Sequence, residues 1–329
     1  MLDRPELTDA EIAGVLRSQH GIELQEICFL PIGNDVNAFA FKVVATDGAA
    51  FFLKARRAEV NLPALVIPRF VQAHGVPAIA PIPTPAGALW VNAGNFHLIL
   101  YPFIEGESGM AGGMSAAQWV AYGAALRKLH DLKLPADIQS ILPVEDFSAY
   151  PYYQSVLQQV DARASNVVFQ DDIRRDLAAF WRTHAGVIRH MAQRARELGD
   201  SCKHAAWRGV LCHADIHTAN VMVERAGAIH FVDWDQPIFA PKERDLMFVE
   251  ANQAVLFFQG YGAAEINRQM LAYYRHWWVV QDLGDYAERV FLMDTGDEVR
   301  AHAAAGFKAM FAAGDAIEHA RKIDGHDST

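Results

Sequence analysis

The alternation of apolar and polar positions predicts a strand-rich segment near the start of the chain. Between residues 27 and 55, large apolar residues alternate with smaller or polar ones, and Thr46-Asp47-Gly48 is typical of a hairpin turn. Residues 88–104 predict two further strands. A helix is predicted over 59–73, where Pro68 should kink or end it, because proline lacks an N–H and clashes with the preceding turn.

The pattern changes to a helical period after Gly106. The small residues of "GESGMAGGM" (106–114) indicate a flexible linker, and Ser115 is expected to cap the helix that follows. Residues 150–200 and 265–322 are predicted to be mostly helical. The pattern therefore predicts an α+β protein with a β-rich first part and a mostly helical second part. The boundary between these parts, near 104–114, is an expected place for a ligand cleft.

Composition narrows the classes of partner. The chain has 329 residues, of which 52% are hydrophobic, and a formal net charge of −10. That charge argues against nonspecific nucleic-acid binding and suits a cationic ligand. Three cysteines without a CxxC pair argue against a disulfide framework or a zinc ribbon. Without a signal-peptide pattern or an apolar run of membrane-spanning length, we expect a cytoplasmic protein with no membrane partner.

The stretch "LCHADIHTANVMV" (211–223) places polar residues between two short apolar runs, which predicts a strand, a polar loop and a strand. Asp233 ends the next apolar run. If a hairpin returns the chain beside its start, Asp215, Asn220 and Asp233 face one cavity. Three oxygen donors around one point suit Mg²⁺ with a phosphate. Each residue alone is also a common turn residue, and His213 with His217 leaves a zinc hydrolase as an alternative.

The order His213-x-Asp215-x-x-x-x-Asn220, followed by Asp233, resembles the kinase pattern of a catalytic aspartate, an asparagine and a metal-binding aspartate. Without D-F-G and A-P-E motifs, the chain resembles the aminoglycoside phosphotransferase and choline kinase family. Its "IHFVDWDQPIFAPKERDLMFV" segment is most similar to the spectinomycin (9-position) phosphotransferases. The resemblance implies a protein-kinase-like two-lobe fold. It sets a β-rich N-terminal nucleotide-binding lobe at 1–104 and a mostly helical catalytic and substrate-binding lobe at 105–329.

The same resemblance implies roles for individual residues. Asp215 is expected to accept the proton of the substrate hydroxyl, and Asn220 and Asp233 are expected to hold Mg²⁺. Asp235 is expected to be either a further metal-shell residue or a turn residue. The residues expected to bind ATP are Lys54 at the phosphates, Glu59 as the anchor of that lysine, Gly33 and Asn34 in the phosphate-covering loop, and Pro102, Phe103 and Ile104 beside adenine.

The resemblance implies an ATP-dependent O-phosphotransferase whose acceptor is a small cationic molecule. The first candidate for that acceptor is spectinomycin or a related aminoglycoside. Asp282 and Asp285 are the candidate carboxylates for that acceptor. The alternatives are a metabolic kinase for choline, homoserine or a sugar, and a nucleotide-binding pseudokinase. The expected cofactors are ATP and Mg²⁺, no nucleic-acid partner is expected, and the oligomeric state stays open.

Overall fold

The structure is a computed structural model that describes residues 4–33, 37–57 and 59–325. The helices are α1 (Asp9–His20), α2 (Leu62–Ala73), α3 (Gly109–Gly112), α4 (Ala116–His130), α5 (Ala136–Ile141), α6 (Pro151–Asn166), α7 (Asp172–Lys203), α8 (Glu243–Leu246), α9 (Ala251–Tyr261), α10 (Arg268–Phe291), α11 (Asp297–Ala309) and α12 (Ala316–Asp324). The strands are β1 (Leu24–Leu30), β2 (Ala38–Ala45), β3 (Ala50–Arg56), β4 (Val91–Ala93), β5 (Phe96–Pro102), β6 (Gly106–Ser108), β7 (Gly209–Cys212), β8 (Val221–Glu224), β9 (Ile229–Phe231) and β10 (Ile238–Pro241).

The first five strands form one antiparallel sheet in the order β1-β2-β3-β5-β4. The predicted hairpin joins β2 to β3, and the Asp47 carboxylate accepts a hydrogen bond from the Ala49 N–H at 3.0 Å, which closes the turn. Along β3, Leu53 and Ala55 are fully buried in a core that also contains residues of α1. Because side chains alternate along a strand, Lys54 lies on the opposite face of the sheet.

The chain divides into two compact units. The first runs up to Val144 and resumes at Val210–Ala264, and the second comprises Glu145–Gly209 and the chain from Glu265 onward. In the second unit, the long helix α10 packs against α6, α7, α11 and α12. The chain crosses between these units three times, whereas each of the lobes predicted at 1–104 and 105–329 is a continuous segment, so the units do not test that division. The assignment of nucleotide and acceptor functions to those lobes stays a prediction.

The expected linker after Gly106 is ordered structure. Gly106–Ser108 forms β6, which pairs antiparallel with β8, and the Ser108 hydroxyl caps α3 at the Ala111 N–H, 3.2 Å away. A Cβ at Gly106 would collide with the Val223 carbonyl oxygen. The small residues therefore allow the two backbones to approach closely, and the prediction of a flexible linker was wrong.

Two other helix predictions have different outcomes. Ser115 caps α4 as expected, in a reciprocal capping box with Gln118. Helix α2 continues through Pro68 to Ala73, so the proline does not end it. Pro68 is buried, and the helix around it is held by the packing of its apolar neighbours Leu65, Ile67 and Val71. Tertiary burial thus outweighs the local helix-breaking tendency.

Candidate active site

The loop between β7 and β8 brings Asp215 and Asn220 together. The Asn220 side-chain amide donates to the Asp215 main-chain carbonyl at 2.7 Å and to the carboxylate oxygen Oδ2 at 3.1 Å. Asn220 is buried, whereas 45% of the Asp215 side chain is exposed. The asparagine therefore fixes an accessible carboxylate, and its own side-chain oxygen remains the atom that suits a hard cation.

The electrostatic surroundings keep Asp215 ionised. Burial by itself would raise its pKa, but the hydrogen bond and charge of His217, together with the charge of Arg244, outweigh burial and lower the pKa below its ordinary value. The His217 Nε2 lies 3.4 Å from Asp215 Oδ1. At neutral pH the carboxylate is thus an acceptor for a hydroxyl proton, weakly basic and precisely placed, which is what a loose phosphoryl-transfer transition state requires.

A buried carboxylate shapes this loop from behind. Asp245 Oδ2 accepts the His213 N–H at 2.9 Å and His130 Nε2 at 3.0 Å, and Oδ1 accepts the Ala214 N–H at 2.7 Å. Two successive amides can converge on one carboxylate because Ala214 has a left-handed backbone, with φ of +73°. Burial would raise the Asp245 pKa, but the His130 hydrogen bond and its other donors lower it. Asp245 therefore holds the backbone next to Asp215, although it lies about 30 positions further along the chain.

His213 braces the loop against the strand end that carries Asp233. Its Nδ1 accepts the Asp215 N–H at 3.3 Å, so the proton lies on Nε2, which donates to the Val232 carbonyl at 2.9 Å. The Val232 N–H in turn donates to the Asn220 carbonyl at 3.0 Å. Burial lowers the His213 pKa and keeps the ring neutral. These bonds hold Asp215, Asn220 and the chain before Asp233 in one arrangement, as the hairpin argument expected.

The Lys54 ammonium contacts two carboxylates that follow the same strand end, those of Asp233 and Asp235. Its Nζ lies 3.1 Å from Asp233 Oδ1 and 2.8 and 2.9 Å from the two carboxylate oxygens of Asp235. Burial opposes the charge of Lys54, but the two carboxylates outweigh burial and raise its pKa. Asp233 has a left-handed backbone, with φ of +61°, and its side chain is 48% exposed. A buried cation beside accessible carboxylates is suited to a phosphate with a divalent metal ion.

The expected lysine anchor differs from the observed one. Glu59 is exposed, and within the described ranges the carboxylates that contact Lys54 are those of Asp233 and Asp235. Arg56 also pairs with Asp235, at 3.0 Å. Side chains two positions apart on a strand share a face, so the sequence of β3 contained a signal that Arg56 lies beside Lys54.

The other residues expected at the nucleotide have mixed placements. Gly33 is exposed with φ of +90°, and Asn34 lies outside the described residues. Pro102 ends β5, and the Phe103 N–H faces the Ala50 carbonyl at 3.4 Å, a weak hydrogen bond. Ile104 follows in irregular chain. Their contact with adenine stays a prediction.

The candidate acceptor carboxylates lie on α10, in the second unit. Asp285 pairs with Arg289 at 2.9 Å, one turn further along the helix, and burial raises its pKa. Asp282 is partly buried on the same helix. The raised pKa and the ion pair with Arg289 both reduce the negative charge that Asp285 offers to a cation.

One buried group has the composition of a metal site but not its chemistry. His130, Cys212 and Asp245 bring their side-chain heteroatoms together. His130 is hydrogen-bonded at both ring nitrogens, to Asp245 and to the Tyr261 hydroxyl at 2.7 Å, and the Cys212 thiol contacts the carbonyls of Ala240 and Pro241. The cluster is therefore a hydrogen-bonded support for the loop. It lends nothing to the zinc hydrolase alternative.

Comparison with known proteins identifies the class. A model of the phosphotransferase enzyme family (APH) matches residues 29–237, which is more than half of the chain. The chain belongs to this family and is a phosphotransferase with an alcohol group as acceptor. The family and the α+β fold predicted from the sequence are confirmed. Within the described part of the chain, no helix is long and apolar enough to cross a membrane.

Comparison with individual proteins gives narrower similarities than the family model does. Spectinomycin phosphotransferase APH(9)-Ia, solved with ADP and spectinomycin, is 27% identical, with 97% of this chain and 99% of that chain covered and a TM-score of 0.89. Its AMP-bound complex is 26% identical, with 96% and 98% covered and a TM-score of 0.83. Protein StrN of Streptomyces griseus is 24% identical over 224 residues, which cover 67% of this chain and 66% of StrN. The match thus spans slightly less than two thirds of StrN.

Proposed function

We propose that this protein transfers the γ-phosphoryl group of ATP to a hydroxyl of spectinomycin or a closely related aminocyclitol. The observation that carries the proposal is the hydrogen-bonded arrangement of Asp215 and Asn220 next to Asp233 and Lys54. It occurs in a chain that matches spectinomycin phosphotransferase over 97% of its length with a TM-score of 0.89. The arrangement supports phosphoryl transfer, and the likeness supports the choice of acceptor.

The chemistry follows from the geometry of Asp215. The acceptor hydroxyl donates a hydrogen bond to the exposed carboxylate, which orients the oxygen for in-line attack on the γ-phosphorus. A bond forms between the acceptor oxygen and phosphorus while the bond from phosphorus to the β–γ bridging oxygen breaks, and ADP departs. The hydroxyl proton passes to Asp215, from which water removes it.

The remaining polar groups suit the nucleotide. The side-chain oxygen of Asn220 and the Asp233 carboxylate are hard donors that fit Mg²⁺, which when bound neutralises phosphate charge. Among the contacts of the described residues, Lys54 reaches Asp233 through Oδ1, which leaves Oδ2 as the oxygen for a metal ion. The Lys54 ammonium supplies the matching positive charge for the phosphates.

The direct test is incubation of the protein with Mg-ATP and spectinomycin, followed by mass spectrometry. We expect a singly phosphorylated drug and an equivalent amount of ADP, and no product from the Asp215→Asn variant. A panel of aminoglycosides, choline and homoserine run in parallel decides the acceptor class. Rapid turnover of choline or homoserine without phosphorylated spectinomycin would make the protein a metabolic kinase. ATP binding without turnover of any acceptor would favour a pseudokinase.

A second measurement tests the proposed acceptor carboxylates. The Asp282→Asn variant should raise KM for a cationic acceptor and leave KM for ATP nearly unchanged, because a carboxylate attracts the drug and not the nucleotide. Salt should raise the wild-type acceptor KM, since exposed charges are screened over about 8–10 Å at physiological ionic strength. An unchanged acceptor KM in the Asp282→Asn variant would remove this residue from the binding site.

A further inference from the structure

Two cations on β3 contact the side chain of Asp235, and Asn61, at the start of α2, contacts its backbone. Lys54 Nζ lies 2.8 and 2.9 Å from its carboxylate oxygens, and Arg56 Nη1 lies 3.0 Å from Oδ2. The Asp235 main-chain carbonyl accepts a hydrogen bond from the Asn61 side chain at 2.8 Å. Asn61 occupies the N-cap position of α2, yet its side chain makes no capping bond to that helix. The asparagine is therefore used to hold Asp235 in place of capping.

Strand geometry explains why one carboxylate serves two cations. Lys54 and Arg56 are two positions apart on β3, so their side chains share a face. Each side chain is only 16% exposed, and that of Asp235 is 34% exposed. A cation buried to this extent needs a counter-charge, and among the described residues both Lys54 and Arg56 contact the Asp235 carboxylate, whereas Glu59 is exposed. Asp235 supplies the shared counter-charge.

The contacts of Lys54 with Asp235 also bear on Asp233, the expected metal ligand, because Lys54 contacts both carboxylates. Of the three Lys54 contacts with carboxylate oxygens, two are with Asp235 and one is with Asp233. If Asp235 lost its charge, the Lys54 ammonium would have Asp233 as its remaining anionic partner. The lysine would then compete with a metal ion for that carboxylate. Asp235 thus keeps Lys54 in place and Asp233 available.

We propose that Asp235 is the positioning residue for Lys54: together with Arg56 it holds the ammonium where the nucleotide phosphates meet it, the task expected of Glu59. The inference rests on the proposed use of Mg-ATP and is independent of the acceptor. It gives Asp235 a role distinct from that of a metal ligand or an ordinary turn residue.

The test measures Mg-ATP binding without an acceptor, by isothermal titration calorimetry. The Asp235→Asn variant keeps the size of the side chain and removes its charge, and we expect its Kd for Mg-ATP to rise at least about tenfold. Asp235→Glu restores the charge and should recover part of the affinity. Glu59→Gln should stay within about twofold of the wild type, the range also expected of Glu26→Gln, a control at an exposed acid on β1. A larger loss in Glu59→Gln than in Asp235→Asn would overturn the proposal.

A double-mutant cycle separates positioning from metal ligation. If Asp235 acts through Lys54, adding Asp235→Asn to Lys54→Met should change Kd far less than it does in the wild type. Equal effects in both backgrounds would indicate direct metal ligation and refute the inference. If thermal unfolding shows that Asp235→Asn does not fold, Arg56→Gln replaces it in the same cycle with the same expectation. Wild-type protein that binds no Mg-ATP would refute the proposed function itself, whereas normal Mg-ATP binding by Asp235→Asn would refute only the positioning role.

Discussion

Replacement of Asp245 by asparagine tests how far the catalytic loop depends on one buried carboxylate. Asp245 is fully buried, and its two oxygens accept three hydrogen bonds, from His130 and from the N–H groups of His213 and Ala214. An asparagine has one side-chain oxygen. Whichever way its amide is turned, the NH₂ group faces at least one backbone N–H, so that amide loses its acceptor inside the protein.

The size of the effect follows from these contacts. Hydrogen bonds to a charged group contribute about 1.5–3 kcal/mol each, and a buried donor left without an acceptor costs about 1–3 kcal/mol. Losing one such bond and leaving one buried N–H without an acceptor should therefore destabilise the fold by about 3–5 kcal/mol. The free energy of unfolding of a native protein is about 5–15 kcal/mol, so the variant should still fold but with a much smaller free energy of unfolding.

The assay combines urea unfolding with phosphoryl-transfer kinetics. We expect a lower unfolding midpoint and a lower kcat, because the His213 and Ala214 amides fix the backbone that leads into Asp215. The control is Asp131→Asn, which removes an exposed ion pair with Arg127 and should change stability by less than about 1 kcal/mol. Wild-type stability and kcat in Asp245→Asn would refute the reasoning that this carboxylate supports the loop.

Three further results are expected. Asp215→Asn should lower kcat by about 10²–10⁴-fold with little change in ATP affinity, and near-normal turnover of the folded variant would remove Asp215 from its role. Gly260→Ala should destabilise the protein by about 1–3 kcal/mol or more in urea unfolding, because a Cβ there collides with a carbonyl of α4, whereas Gly14→Ala, which has open space, should be neutral or stabilising. Burial lowers the pKa of His213 and His276 below the ordinary 6.5, so the unfolded chain binds protons that the folded chain does not. The free energy of unfolding should therefore fall as pH drops below about 6.5, and a constant or rising value between pH 6.5 and 5 would contradict this assignment.

The loop that carries Asp215 and Asn220 was predictable because its signal is local. Both residues lie within one short polar run between two apolar strands, and the spacing that brings the amide onto the carboxylate is set by a few residues of backbone. Asp233 was also predictable, since a hairpin of ordinary length returns the chain to the same place. In the structure, Val232, the residue before Asp233, is hydrogen-bonded to His213 and to Asn220.

The partners of Lys54 were less predictable because they lie far away in sequence. Lys54 and Asp235 are separated by 181 positions, so no periodicity or spacing relates them. The family resemblance implied the nearby Glu59 as the anchor, only five positions after Lys54, but the chain after β3 leaves it exposed. The small residues from Gly106 onward were misleading for a related reason: the strand that requires their close approach, β8, begins at Val221.

The acceptor is less visible in the sequence than the chemistry, and the reason is physical. Phosphoryl transfer requires a proton acceptor, metal ligands and a cation at fixed mutual distances, so the residues that supply them recur in a fixed order and leave a motif. Attraction of a cationic drug requires only negative charge within the range of screening, and many arrangements of carboxylates provide it. Asp282 and Asp285 are three positions apart on α10, as acidic residues on helices often are, and one of them is already paired with Arg289. We therefore expect measured KM values across a panel of alcohols to identify the acceptor, while Asp215→Asn lowers kcat for every alcohol that the protein phosphorylates.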